Sequence, residues 1–410
     1  MTAVTTAARR RDPAVLGRRV LAALTGTVTV SILGALVAVG VLLVAIGQNP
    51  FAVYGTLLEG SLTGRGLVTT LQRSVPLVGL SIALIYSFRA GVFNLGGQGQ
   101  FLVGGLASVV TALALPGTGV LGILAACAAG VVAGAAWGTV PGVIQVTLGP
   151  PVLVTSLLLN YIGIAGVSYV ISLLKPPSAS DQATPTISED LQISALVPAR
   201  SPLGEAMGQA LERNDVLLLA ARGLNWSFVV VILLVIATIL FNRRTATGFE
   251  AGVTGLNGAF ARNVGIRSSR VVLTSLAISG GLAGLIGALV VLGTNFRLLD
   301  GQFEATGYAM TAILVVLLGR SSPIGAVLAG FFFSMLQVGG EELNRTFALS
   351  PAIASIIQAL VIFLVVLRLG IPYVTQRLRR RAEAAATGER IEEVPDAAPT
   401  PRDTTTVKEG

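Results

Sequence analysis

Asn94, Gln98 and Gln100 stand close together in the run Phe93-Asn94-Leu95-Gly96-Gly97-Gln98-Gly99-Gln100, between two long apolar stretches. A primary amide donates and accepts hydrogen bonds at once and carries no charge. Three of them in apolar surroundings suit the holding of an uncharged polar solute, with Phe93 offering a ring face for stacking or for packing. They suit equally the capping of helix ends and of the backbone left open by Gly91, Gly96, Gly97 and Gly99. Asn160 and Tyr161 form a second polar pair inside an apolar run. They belong either to a pathway or to the contact between two helices. A third group, Glu250, Asn257, Arg262, Arg267 and Arg270, lies in the charged segment 242–271.

The elements that must position these residues are membrane helices. Hydrophobic residues make up 53% of the 410-residue chain and charged residues 12%, with mean hydropathy +0.80. A soluble chain carries about twice that share of charge. Ten candidate spans follow, at 20–47, 67–88, 97–115, 119–140, 152–174, 226–241, 272–293, 306–319, 323–339 and 352–370. Most approach the ~20 residues that a crossing needs. Those at 226–241 and 306–319 are short. Pro76 predicts a kink in the second span.

Charge placement supports this count. Ten spans with the N-terminus inside put Arg9, Arg10, Arg11, Arg89, Arg243, Arg262 and Arg320 on the inner side, and Asp181, Glu189, Asp300 and Glu341 on the outer side. That is the positive-inside pattern. The expectation is an all-α integral membrane protein of about ten transmembrane helices with N- and C-termini cytoplasmic. The parity allows an inverted repeat of helices 2–5 and 7–10. A basic N-terminus (1–19) precedes the transmembrane domain (20–370), and a basic disordered tail (371–410) follows it. The external loop 175–225 should carry an interfacial helix near 203–221, with Leu203, Met207, Ala210 and Leu211 on one face. The cytoplasmic loop 242–271 should hold a short helix over 255–265. Glycines at every fourth position, 130, 134 and 138, with 280 and 284, predict close helix packing. Glycine-broken segments at 91–105 and 295–320 occupy corresponding places in the two halves, a pointer to a midplane site.

Several classes are excluded. The chain has no histidine, so a His-ligated metal or haem centre is impossible, and its one cysteine, Cys127, reads as apolar filler. The net charge of +8 gathers at helix ends and does not mark a nucleic-acid partner. None of the ten assigned spans contains Asp or Glu, which leaves ion coupling little to work with. Arg73, in the outer part of the second span, is expected to snorkel. A phosphate loop requires Gly-Lys-Ser/Thr, and the only lysines, Lys175 and Lys408, follow Leu174 and Val407. Energy must therefore come from another polypeptide, for which loop 242–271 is the natural contact.

Four ordered motifs carry a resemblance. The 93–100 run is similar to the Phe-Asn-Ile-Gly-x-Glu-Gly-Gln signature of permease subunits in ABC importers of the nucleoside and simple-sugar type, related to ribose and branched-chain amino acid permeases. The run Thr155-Ser156-Leu157-Leu158-Leu159-Asn160-Tyr161 resembles that family's Asn-Tyr stretch. Residues 248–266 resemble its coupling loop, and 279–287 with 317–325 its later helices. Gln98 stands where the family usually has glutamate, and Gly252 where it usually has arginine. The resemblance implies a non-catalytic permease of the bacterial cytoplasmic membrane, set in lipid, that binds no cofactor itself. ATP would be hydrolysed by cytoplasmic ATPase subunits docked on Glu250, Asn257, Arg262, Arg267 and Arg270. A second permease copy or a homologous permease would complete the channel, and an extracytoplasmic solute-binding protein would deliver a nucleoside or related sugar-bearing solute. Asn94, Gln98, Gln100, Phe93, Asn160 and Tyr161 would line its pathway. Branched-chain amino acids and monosaccharides are the alternative solutes, and a stand-alone secondary transporter is the alternative class.

Overall fold

In the computed structural model the long apolar stretches are helical among the described residues. Residues 27–363 are described, apart from 178, 212–214, 348, 349, 351, 354, 358, 361 and 362. Helix α1 (Thr27–Ala45) ends at a turn, and α2 (Pro50–Leu62) starts with Pro50 behind the Asn49 cap, whose side chain accepts from the Phe51 amide. Then come α3 (Gly64–Arg89), α4 (Gly97–Ala114), α5 (Val120–Leu148) and α6 (Val152–Leu174). Two short helices follow, α7 (Pro202–Ala210) and α8 (Val216–Gly223). Next are α9 (Trp226–Arg244), α10 (Ala246–Leu256), α11 (Gly258–Asn263) and α12 (Ser268–Val290). The series closes with α13 (Gln302–Ala305), α14 (Tyr308–Leu318) and α15 (Pro323–Phe347). Residues 33–362 form one compact unit.

Seven helices, α3, α4, α5, α6, α9, α12 with its extension to Asn295, and α15, are long and apolar enough to cross a membrane. Counting the bent pair α1–α2 as one span makes eight. The chain is thus a multi-pass membrane protein, and the described residues account for fewer crossings than the ten expected. The span expected at 20–47 breaks at residue 46, where the chain turns by 120° into α2, a helix the hydropathy pattern did not mark. The span expected at 306–319 is an 11-residue helix. At 1.5 Å per residue it reaches only about 16 Å, half of the hydrocarbon core. Most of the span expected at 352–370, the N-terminal segment 1–19 and the tail 371–410 lie outside the described residues.

The centre of the bundle is built on backbone contact. In α5 the buried residues are Gly122, Ala126, Gly130, Gly134, Gly138 and Gly142, spaced by four, together with Pro141. This stripe faces α4 and α12. A Cβ on Gly134 would meet the Gly280 carbonyl and lie 2.8 Å from Gly284 Cα. One on Gly138 would lie 2.9 Å from Gly280 Cα, and one on Gly104 of α4 would strike Gly284 Cα. Dispersion between closely apposed helices is the main cohesive term in lipid, and three helices share it here. Helices α3 and α12 are the most enclosed. Pro76 lies inside α3 and forgoes one backbone bond there.

Two further expectations change. The amphipathic stretch 203–221 is two helices, because Ser201 caps the first and Asp215 starts a second. Leu203 on its apolar face is 61% exposed. Arg73, expected to snorkel, is held in an ion pair. Helix α15 runs two turns past the expected end at 339, and Glu341 on that extension receives both Arg73 guanidinium nitrogens, at 2.6 and 2.9 Å. An acidic side chain therefore does sit on a crossing helix, paired.

Candidate functional site

Helices alternate in direction, so 62–64, 174–226 and 290–308 collect at one end of the bundle and 89–97, 148–152 and 244–268 at the other. At the first end a cavity of about 520 Å³ opens between α3, the α8–α9 junction, the end of α12 and α13–α14. Its polar lining is neutral except for Arg73: Gln72, Asn225, Thr294, Asn295 and Gln302 face Pro76, Phe228, Ile286 and Phe303. Local geometry puts them there. Helix α12 widens into a single π turn at Val291–Asn295 and stops at Phe296, which has φ 57°. A non-glycine residue in that region is strained, and π turns cluster at functional sites. The resulting reversal leaves Thr294 and Asn295 on the wall. Glycines at φ +72° and +61°, Gly301 and Gly307, bracket the one-turn α13 that supplies Gln302 and Phe303.

The amides of the cavity are half engaged. Gln72 Nε2 donates to the Gly223 carbonyl at 2.7 Å, Asn225 Nδ2 to the Gly293 carbonyl at 2.5 Å, and Asn295 Nδ2 to Gln302 Oε1 at 3.1 Å. The Gln72 and Asn295 oxygens and the Gln302 nitrogen keep no protein partner among the described residues, so they are open to a solute. The loop 175–225 is held beside this end by segment 182–196, which bonds along 291–300: Thr184 N to Leu298 O at 3.0 Å, Ile187 N to Phe296 O at 2.8 Å and Ile193 N to Leu292 O at 2.8 Å. Asp190 ties the same loop down, accepting from the Gly119 amide at 3.0 Å and from the Ser188 hydroxyl. The Ser188 bond foremost, and the Gly119 bond after it, hold its carboxyl below the ordinary aspartate range.

The six pathway candidates are elsewhere. None lines the cavity. Asn94, Gln100 and Asn160 are buried in one network toward the opposite end. Asn94 Nδ2 donates to Gln100 Oε1 and Ser279 Oγ, both at 3.2 Å, and Asn94 Oδ1 accepts from Gly96 N at 2.9 Å. Asn160 Oδ1 accepts from Gly99 N at 2.9 Å, and its Nδ2 donates to the Leu95 carbonyl at 2.8 Å. Ser156 Oγ accepts from Leu95 N at 3.1 Å. The first amides of a helix lack intrahelical partners, and Gly96 at the α4 cap has no side chain to offer. Side chains from α6 supply the caps. Of the two roles these amides could take, the geometry fills the capping one. Gln98 is buried with its Nε2 unpartnered among the described residues. Phe93 is 54% exposed and packs on Phe88, and Tyr161 is 67% exposed. Neither joins the network.

At the arginine-rich end the expected single helix over 255–265 is a pair, α10 and α11, because Asn257 interrupts it and caps α11 through the Phe260 amide at 2.9 Å. Arg262, Arg267 and Arg270 are exposed and line one open concavity of about 810 Å³. Glu250 and Asn257 do not border it. Phe249, Leu256 and Phe260 are exposed on α10 and α11, Leu256 at 90%, so this end carries both apolar anchors and guanidinium groups, a combination typical of protein contact surfaces. Their apolar type in an otherwise basic loop was the available sequence signal. Helix α10 rests on the 89–91 turn, where Gly91 and Gly255 touch so closely that a Cβ on Gly91 would lie 3.1 Å from Gly255 Cα.

Comparison with known proteins identifies the family. Residues 66–366 match the family model described as branched-chain amino acid transport system / permease component. The chain is 33% identical to a glucose ABC transporter permease of Haloferax volcanii, over 88% of this chain and 94% of the relative. It is 30% identical to a nucleoside ABC transporter permease of Lactococcus lactis subsp. cremoris, over 86% and 92%. It is 27% identical to a guanosine ABC transporter permease of Bacillus subtilis, over 76% and 84%. No solved structure gives a significant match.

Proposed function

Because the chain belongs to the family of branched-chain amino acid transport system permease components, we propose that it is the membrane-spanning, non-catalytic subunit of an ABC importer for sugars or nucleosides. The relatives named for glucose, nucleosides and guanosine support these solutes. The cavity at the cap end supports them independently. Its volume of about 520 Å³ falls among ligand pockets, and its open amide groups match hydroxyls and base edges. An amino acid would bring an ammonium group, and no acidic side chain lines the cavity to meet it. A cavity of neutral amides is the observation that carries the reading.

In this reading the arginine-rich end faces the cytoplasm, as the positive-inside rule requires, and both termini lie there. A second permease, identical or homologous, completes the channel. ATPase subunits dock on α10, α11 and the concavity beside Arg262. An external binding protein delivers the solute to the cap end. Motion of the ATPases reaches the core through the Gly91–Gly255 contact and the Asn94 network, which shifts the permease between two populated states.

The test is transport in proteoliposomes containing the subunits that co-purify with the chain. ATP-dependent uptake of labelled uridine or D-glucose is expected. Arg262→Glu should preserve ATP hydrolysis while abolishing uptake. Uptake of neither probe would refute the solute class, and full uptake by the charge-reversed protein would refute docking at Arg262.

A further inference from the structure

The cavity wall holds one cation and no anion of its own. Arg73 is the only charged side chain among the lining residues. A free guanidinium there would be a fork for carboxylate or phosphate. It is not free. Glu341, reaching across from α15, occupies both of its outer nitrogens at 2.6 and 2.9 Å. The pair is not in dry interior either, since the two side chains are 32% and 44% exposed. The next carboxylate, Glu342, points to Arg345 at 3.4 Å and does not compete for Arg73.

We infer that Glu341 is a specificity-determining residue: by occupying the Arg73 fork it keeps the cavity electrically neutral, so the site accepts uncharged hydrogen-bonding solutes and rejects anionic ones such as sugar acids and nucleoside phosphates. This rests on the proposed solute class and deepens it. An anion entering the cavity loses hydration and finds no available positive partner, which is costly. A neutral polyol exchanges its water bonds for the open amides of Gln72, Asn295 and Gln302 at little cost. Two further guanidinium groups, Arg65 and Arg222, line an adjoining depression that shares Thr69 and Gly223 with the cavity, so inside it the engagement of Arg73 is what denies an anion a cationic partner.

The experiment is equilibrium binding to the full chain, purified with its co-purifying subunits. Uridine and D-glucose are the neutral probes, and uridine 5′-monophosphate and D-glucuronate the anionic ones. The wild type should bind a neutral probe and show no measurable affinity for its anionic counterpart. Glu341→Gln should gain anion affinity by about tenfold or more, the range of a charge-assisted hydrogen bond. Glu341→Asp should stay selective. The double variant Arg73→Gln/Glu341→Gln, neutral again, should lose the gain. Anion affinity in Glu341→Gln within twofold of wild type would overturn the inference. So would a folded double variant that binds an anionic probe as tightly as its neutral counterpart, and this arm decides the matter even if the single variant does not fold. Failure of the wild type to bind either neutral probe would count against the proposed solute class instead, and the anion gain of Glu341→Gln would still be read.

Discussion

Adding one methyl group at Gly284 should cost more than almost any other single-carbon change in this chain. Gly284 is where α4, α5 and α12 meet. A Cβ there would strike the Gly130 carbonyl oxygen and lie 3.0 Å from Gly134 Cα. Carbon pairs are comfortable at about 3.5–4.0 Å, so the helices must separate by roughly 0.5–1 Å. A gap of that size forfeits about a quarter to a half of each contact's dispersion energy along the seam. No rotamer change can relieve it, since both partners are backbone. Overpacking costs about 1–3 kcal/mol, and Gly284→Ala belongs at the upper end. The assay is chemical unfolding of the purified protein in detergent micelles. Gly166→Ala is the control, because nothing lies within 4 Å of a Cβ at that position, and it should stay within about 0.5 kcal/mol of wild type. Equal stability of the two variants would refute the backbone-contact account of the core.

Asn160→Ala should orphan the Gly99 amide and the Leu95 carbonyl, at about 1–3 kcal/mol for each buried group, whereas Tyr161→Phe on the exposed neighbour should melt with the wild type. Thermal unfolding of the two variants checks this, and a stable Asn160→Ala protein would remove the capping role. The cap loop should respond to acid through Asp190. Its carboxyl is held below the ordinary value of 3.8, so its contribution is complete above that value and is lost as pH falls through the lowered one. Amide exchange in 187–193 should therefore accelerate only below pH 3.8, and Asp190→Asn should remove that dependence. Loosening that begins well above 3.8 would assign the effect to another group.

Class, solvent and family were legible in the chain because they are written in local chemistry. Apolar runs near twenty residues long must be helices in lipid, since each backbone group there has to be satisfied within its own segment. The stripes of glycine in α5 and α12 announced close packing, and the structure places them in contact. Arginines at one set of loops marked the end where Arg262, Arg267 and Arg270 do share a concavity. The role of the polar residues was not legible in the same way. Asn94, Gln100 and Asn160 were visible as costly groups in apolar surroundings, but an amide that binds solute and an amide that caps a neighbouring helix have the same sequence signature. Only the approach of α6 to the start of α4 assigns Asn160 to Gly99 and Leu95. Of the cavity the sequence marked only the glycine-broken segment 295–320, because the wall is assembled from four separated stretches, within 69–76, 223–228, 286–295 and 302–308. Three of them contribute polar groups at or beyond a helix end, where polar groups are unremarkable, while Gln72 and Arg73 come from inside α3. The Arg73–Glu341 pair joins residues 268 positions apart. Its two charges look like ordinary loop-end charges until α15 is seen to run two turns beyond its hydropathy limit. Hydrogen-bonding capacity and hydrophobicity belong to residues and can be read one at a time. The pairing of a charge, the exposure of an amide and the shape of a void belong to distances between distant segments, and those are set only when the helices pack.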